Sequence, residues 1–185
     1  ASDETGAADA ADAAVAETRD PGPDAAPPDP CSLDRGDVRA LHDGTRVRVG
    51  NGRIVLEIHL DSGTWDLGLD GGRTVVAGAH AAATWRTDDG DATRTTREGT
   101  RTCTAAPLAD RLGEGVAVEI RQSGVAPSLA VRFEVRADAT YVTKAATLAD
   151  CSAAGLPVTR LSPLVAEAAS GGALYVGPDP ATHRV

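Results

Sequence analysis

Apolar and polar residues alternate with a period of two through much of this chain beyond residue 45, and such alternation predicts strands rather than helices. The clearest run sets Ile54, Leu56, Ile58 and Leu60 against Arg53, Val55, Glu57, His59 and Asp61. Large aliphatics then share one face, with mostly polar groups on the other. Val47 and Val49, between Arg46 and Arg48, give a shorter strand ahead of it, and Gly50-Asn51-Gly52 supplies the turn. Asp61-Ser62-Gly63 turns the chain again into a hairpin partner, where Trp65, Leu67 and Leu69 alternate with Asp66, Gly68 and Asp70. After Gly71-Gly72 come Thr74-Val75-Val76. A further run at residues 79–86 alternates small residues and Trp85 with His80, Ala82 and Thr84.

Residues 87–101 are polar and read as either a long hairpin tip or an edge strand of weak pattern. Alternation returns at Val116, Val118 and Ile120, and again at Leu129, Val131, Phe133 and Val135. Ala137-Asp138-Ala139 closes that hairpin, residues 140–148 supply another β-rich run, and 158–165 and 173–176 supply two more around Gly171-Gly172. About nine or ten short strands with turn residues between them, and no helical run, predict an all-β, antiparallel β-sandwich. One-sided alternation favours antiparallel pairing with one face in water.

The first 35 residues break this pattern. Residues 1–30 hold eight acidic side chains against the single Arg19, so −7 of the chain's net −9 sits there. The same stretch has Val15 as its one aliphatic residue larger than Ala, and five of the eleven prolines lie between Pro21 and Pro30. Too little apolar surface is available to offset chain entropy, which predicts a disordered acidic Ala/Asp/Pro-rich leader over 1–35, stiffened near its end into a spacer. The expected domain spans residues 36–185. Its near-neutral charge gives no electrostatic footing for nucleic acid.

No methionine occurs and the chain opens on Ala1, so an upstream signal is expected to have been removed, with a lipid anchor before residue 1 as one form of it. No apolar run reaches membrane-spanning length. The last residues, Thr182-His183-Arg184-Val185, carry no turn or cap signal, and a longer protein is expected to continue past them. An exported protein uses cysteines in disulfides. Cys31, Cys103 and Cys151 allow three pairings; Cys103–Cys151 is favoured because Cys31 borders the leader.

Candidate chemistry is sparse. Glu57, His59 and Asp61 share the outer face of one strand, a pattern that could ligate a metal or move protons, although outward polar residues are most often simply solvated. Asp88, Asp89 and Asp91 around Gly90 invite a calcium reading, but their spacing departs from the EF-hand loop and suits a turn. Gly113-Glu114-Gly115 and Gly171-Gly172 do not lie between a strand and a helix, as phosphate loops do. Ser62, Ser123, Ser128, Ser152, Ser162 and Ser170 lack a nucleophile elbow. Trp65, Trp85 and Phe133 sit in apolar series and belong to the core, leaving Tyr141 and Tyr175 as candidate surface rings for carbohydrate. No catalytic, cofactor-binding or metal residue is assigned.

One set of motifs resembles a known family. It comprises Leu161-Ser162-Pro163-Leu164, Gly171-Gly172-Ala173-Leu174-Tyr175-Val176-Gly177, Asp179-Pro180, His183-Arg184-Val185 and the early hairpin with Gly63 and Trp65. Together these are similar to the N-terminal β-supersandwich of α-galactosidase and raffinose-synthase-like glycoside hydrolases. The resemblance implies a non-catalytic domain supporting a (β/α)₈ barrel of the same chain, where both catalytic carboxylates would lie. Neither aspartate motif is present here. A free-standing, surface-tethered binding or adhesion sandwich is the alternative expectation.

Overall fold

The computed structural model describes residues 27–150 and 157–166, and the backbone of 168–169, 175–176 and 183–184. The expectations placed on residues 1–26, Cys151, Ser152, Ser170 and Gly171-Gly172 fall outside the described residues. Among those described, the chain is all-β and antiparallel, with no helix. The strands are β1 (Leu33–Arg35), β2 (Val38–His42), β3 (Arg46–Gly50), β4 (Ile54–His59), β5 (Thr64–Leu69), β6 (Arg73–Thr87), β7 (Gly90–Thr95) and β8 (Thr100–Asp110). They continue with β9 (Gly113–Ser123), β10 (Ser128–Arg136), β11 (Val142–Ala149) and β12 (Val158–Val165), then β13 (Ala168–Ala169), β14 (Tyr175–Val176) and β15 (His183–Arg184).

Two sheets result. The first runs β1-β2-β3-β4-β5-β6-β12, with β7 and β13 also on β6; the second runs β14-β15-β11-β10-β9-β8. The alternation seen in the sequence decides what faces inward. Ile54, Leu56 and Ile58 of β4 and Trp65 and Leu67 of β5 meet Val116 and Val118 of β9 and Val131, Phe133 and Val135 of β10 in one buried cluster. Trp65 and Phe133 touch edge to face across it, with ring centroids 5.0 Å apart and planes at 70°. Each fully buried aliphatic contributes roughly 1.5–3 kcal/mol, so this seam dominates stability.

Polar side chains close the sandwich at both ends. Asn51, in the β3–β4 turn, donates from its amide nitrogen to the carbonyls of Arg136 and Ala139 at 2.7 Å each, joining that turn to the end of β10. Gln122 of β9 does the same at the other end, donating to the carbonyls of Thr95 (2.7 Å) and Glu98 (2.8 Å) and accepting from Leu129 N (2.8 Å). Beside it, Gly63 has φ 70°, and a Cβ there would lie 1.8 Å from the Thr96 carbonyl oxygen, so only glycine permits the approach.

Several expectations change. Residues 74–76 and 79–86 belong to one strand, β6, of 15 residues. The polar stretch at 87–101 is both of the things expected, a turn and the short strand β7. Strand β8 was hidden from alternation because it is an edge whose side chains, Cys103 apart, are not buried. An edge position also tolerates Pro107 within it. Packing begins at Cys31, ahead of the expected start near residue 36.

The favoured cysteine pairing is corrected: Cys31 bonds Cys103, with Cα atoms 5.5 Å apart. Residues 29–31 are not loose leader but run against β8, where Pro30 O accepts from Ala105 N at 2.6 Å. That contact brings Cys31 opposite Cys103, and both are buried.

Candidate functional site

Three places gather chemistry-bearing side chains. The first is the outer face of β4 and β5. The tight turn at residues 61–63 sets the hairpin register, pairing His59 with Thr64 and placing Glu57 directly opposite Asp66. His59 Nε2 lies 3.0 Å from Asp66 Oδ2. The other Asp66 oxygen accepts from Gly78 N at 2.7 Å. Glu57 stands 3.9 Å from Arg48 Nε on β3. Side-chain donor atoms of Glu57, His59 and Asp66 all lie within 4.8 Å of one another, so this trio could hold a cation.

The expected trio of Glu57, His59 and Asp61 is thus revised. Strand β4 ends at His59, so the alternation does not carry Asp61 onto the same face. Asp61 instead lies past the strand end, and its carbonyl accepts from Arg101 Nη1 at 2.8 Å. Cross-strand pairing across the 61–63 turn was the signal that pointed to Asp66.

The second place is where the leader joins the body. His42 Nδ1 is 2.7 Å from Asp29 Oδ2. The Cys31 N–H (2.8 Å) and then His42 hold the Asp29 carboxyl below the usual carboxylate range. Asp29, Cys31 and His42 have ligand spacing, yet the Cys31 sulfur is in a disulfide and offers no thiolate. An open hollow of about 660 Å³ lies here, bordered by His42, Leu60, Asp61 and Arg101. Burial lowers the Arg101 pKa, and Arg101 donates to Thr96 O, Leu60 O and Asp61 O, bracing β8 against the first sheet.

The third place is internal. Lys144 is the only lysine among 18 basic residues, and it points inward from β11 beside Val142. Among the described residues its Nζ has no hydrogen-bond partner, and it sits 4.6 Å from the centroid of the Trp65 ring. Burial pushes this amine down to about 7. The adjoining cavity, lined by Leu56, Trp65, Leu67, Val76 and Phe133, measures about 20 Å³, room for one water. Sequence reasoning passed over Lys144. Its inward register with Val142, and its being the sole lysine, were the available signals.

The other candidates fall to local structure. Asp88 and Asp89 form the β6–β7 turn, and Asp91 turns to Arg86 at 3.1 Å. Ser62 bonds Thr64 (2.8 Å), Ser123 bonds Thr100 (2.7 Å), Ser128 bonds Asp150, and Ser162 accepts from Arg160 (3.0 Å). Each of these hydroxyls is engaged in local strand or turn geometry. Gly113 has φ 107° in the tight β8–β9 turn and shapes that reversal. Trp65, Trp85 and Phe133 are buried as expected, and Tyr141 is half-buried next to the β10–β11 turn. Side-chain surroundings of Tyr175 lie outside the described residues.

No family model matches this chain, and neither a curated protein nor a solved structure matches it. Among the described residues, no helix is long and apolar enough to cross a membrane.

Proposed function

We propose that this chain is a non-catalytic β-sandwich module of an exported protein, held behind its acidic leader and supporting a catalytic domain on the same polypeptide. The motif resemblance suggests an α-galactosidase-like glycoside hydrolase as the parent. The observation that carries the module reading is the clamp at the leader's junction. The Cys31–Cys103 bond, the Pro30 O to Ala105 N hydrogen bond and the Asp29–His42 contact tie the end of the leader into both sheets. A pull on the leader then loads a covalent link to the 11-residue strand β8 instead of peeling the three-residue β1 from its edge. Such a fixture suits a tethered domain, and a buried disulfide suits an oxidising compartment.

Two measurements test this. The chain alone should neither hydrolyse nitrophenyl α-galactosides nor bind free sugars in calorimetry; turnover would overturn the non-catalytic reading. The reading frame beyond Val185 should continue into about 250 residues of alternating strand and helix pattern, and its absence would overturn the supporting role.

The hollow bordered by His42, Asp61 and Arg101 favours a second reading, a surface-tethered binding or adhesion sandwich. Sugar binding by the isolated chain, with Kd at or below about 1 mM, would select it.

A further inference from the structure

We propose that Glu57, His59 and Asp66 form a binding site for a divalent transition-metal ion of the zinc class on the outer face of the first sheet. This goes beyond a supporting role, and strand register is its first support. Glu57 and Asp66 are directly opposed across β4 and β5. Like charges in that position repel and destabilise the pair. The neighbouring arginines only partly answer it. Arg48 is 3.9 Å from Glu57, and Arg46, opposite His59, turns away to Asp43 at 3.3 Å. A cation between the two carboxylates removes the repulsion that this register builds in.

Donor geometry is close to that of a bound ion. Metal–ligand bonds of about 2.0–2.2 Å place two ligands of one tetrahedral ion roughly 3.3–3.6 Å apart. His59 Nε2 and Asp66 Oδ2 are already at 3.0 Å. The Glu57 oxygen lies within 4.8 Å of both.

Asp66 is also braced from behind. The β5–β6 ladder shifts register between Trp65 and Leu67, and Gly78 N–H donates to Oδ1. That leaves Oδ2 facing His59, the arrangement in which a backbone donor orients a metal-bound carboxylate. One imidazole with two carboxylates suits zinc and its neighbours, whereas calcium takes six to eight oxygens. Three protein ligands leave a coordination position open. Beside Glu57 and Asp66 lies a polar hollow of about 220 Å³ that is also bordered by Arg48, Asp70 and Arg73, with room for water or an anionic ligand.

The test is calorimetric titration of the untagged, chelator-treated full chain with zinc chloride at pH 7.5. One ion should bind per chain with Kd below about 100 µM, and calcium should not compete. His59→Ala and Asp66→Asn should each weaken binding at least about tenfold, while His42→Ala, at the other His–Asp pair, leaves it unchanged. Melting curves of the metal-free variants report their folding, since all three positions lie on an outer face. Absence of saturable zinc binding would overturn the proposal. Binding that survives His59→Ala, or that is lost with His42→Ala, would overturn it as well.

Discussion

Among the described residues of the second sheet, two basic side chains are buried, and they are accommodated in opposite ways. Arg136, at the end of β10, is 5% exposed, and Lys144, on the adjacent β11, is 3% exposed. Arg136 reaches Asp110 through both terminal nitrogens (2.8 and 3.0 Å), the Gly113 carbonyl at 3.0 Å and Glu134 at 3.3 Å. The Leu112 N–H and then this guanidinium lower the Asp110 pKa. Among the described residues, Lys144 has only the face of Trp65. Removing a charge from water is expensive unless it is partnered or neutralised. An arginine does not give up its proton in a protein, so it must be partnered; a lysine can give it up. The fold therefore places a guanidinium at a rim where carboxylates reach it, and an amine in the seam against the Trp65 ring.

Breaking the partnered cation should have the largest destabilising effect. Arg136→Met removes the buried guanidinium's hydrogen bonds to Asp110, Glu134 and the Gly113 carbonyl and should lower stability by about 1.5–3 kcal/mol in urea unfolding; Asp110 keeps the Leu112 N–H and Glu134 keeps Arg132 Nε, so neither carboxylate is left without a donor. A loss under about 1 kcal/mol would mean that the pair is as weak as an ordinary surface ion pair.

Lys144→Met should act in the opposite direction. The Lys144 pKa in the folded chain is about 7, below the ordinary lysine value near 10.4. Below pH 7 both folded and unfolded chains hold the proton, and the full penalty of burying the charge is present. Between about pH 7 and 10.4 the unfolded chain binds more protons, so stability rises with pH across that window. Replacing an unpaired buried charge by an apolar side chain of similar volume should therefore stabilise by about 1–4 kcal/mol at pH 6. The gain should shrink to near zero by pH 10.5. An advantage that stays constant between those pH values would show that the buried amine carries no charge penalty.

The contrast between these residues also explains what could be read from the sequence. Alternation showed β3, β4, β5, β9 and β10 plainly, because each presents one apolar face to the seam and strand periodicity records burial. It hid β8, an edge strand, and β1–β2, where Val38 and Ala40 are the only buried apolar pair. The site was legible one strand at a time. Glu57 and His59 share a face of β4, but Asp66 comes from across the hairpin, so finding it required register as well as period. Asp29 and Cys31 were read as leader because composition ignores what a single disulfide and one ladder contact can hold. Lys144 was invisible because a polar letter in a β-rich run is ordinarily assigned to water.

The smallest effect should come from exchanging one cation for another at the partnered site. Arg136→Lys keeps a positive charge beside Asp110 and Glu134. An ammonium cannot make the two parallel contacts to both Asp110 oxygens that the guanidinium makes. One hydrogen bond should survive and one should be lost. Among the described residues Nε of Arg136 has no partner, so the exchange forfeits nothing seen there. The expected loss is about 1 kcal/mol, and the coupling to Asp110 in a double-mutant cycle with Asp110→Asn should weaken with it. If Arg136→Lys is instead as damaging as Arg136→Met, shape rather than charge governs the rim site. Arg136 and Lys144 would then differ by geometry alone, and not by whether each can lose its proton.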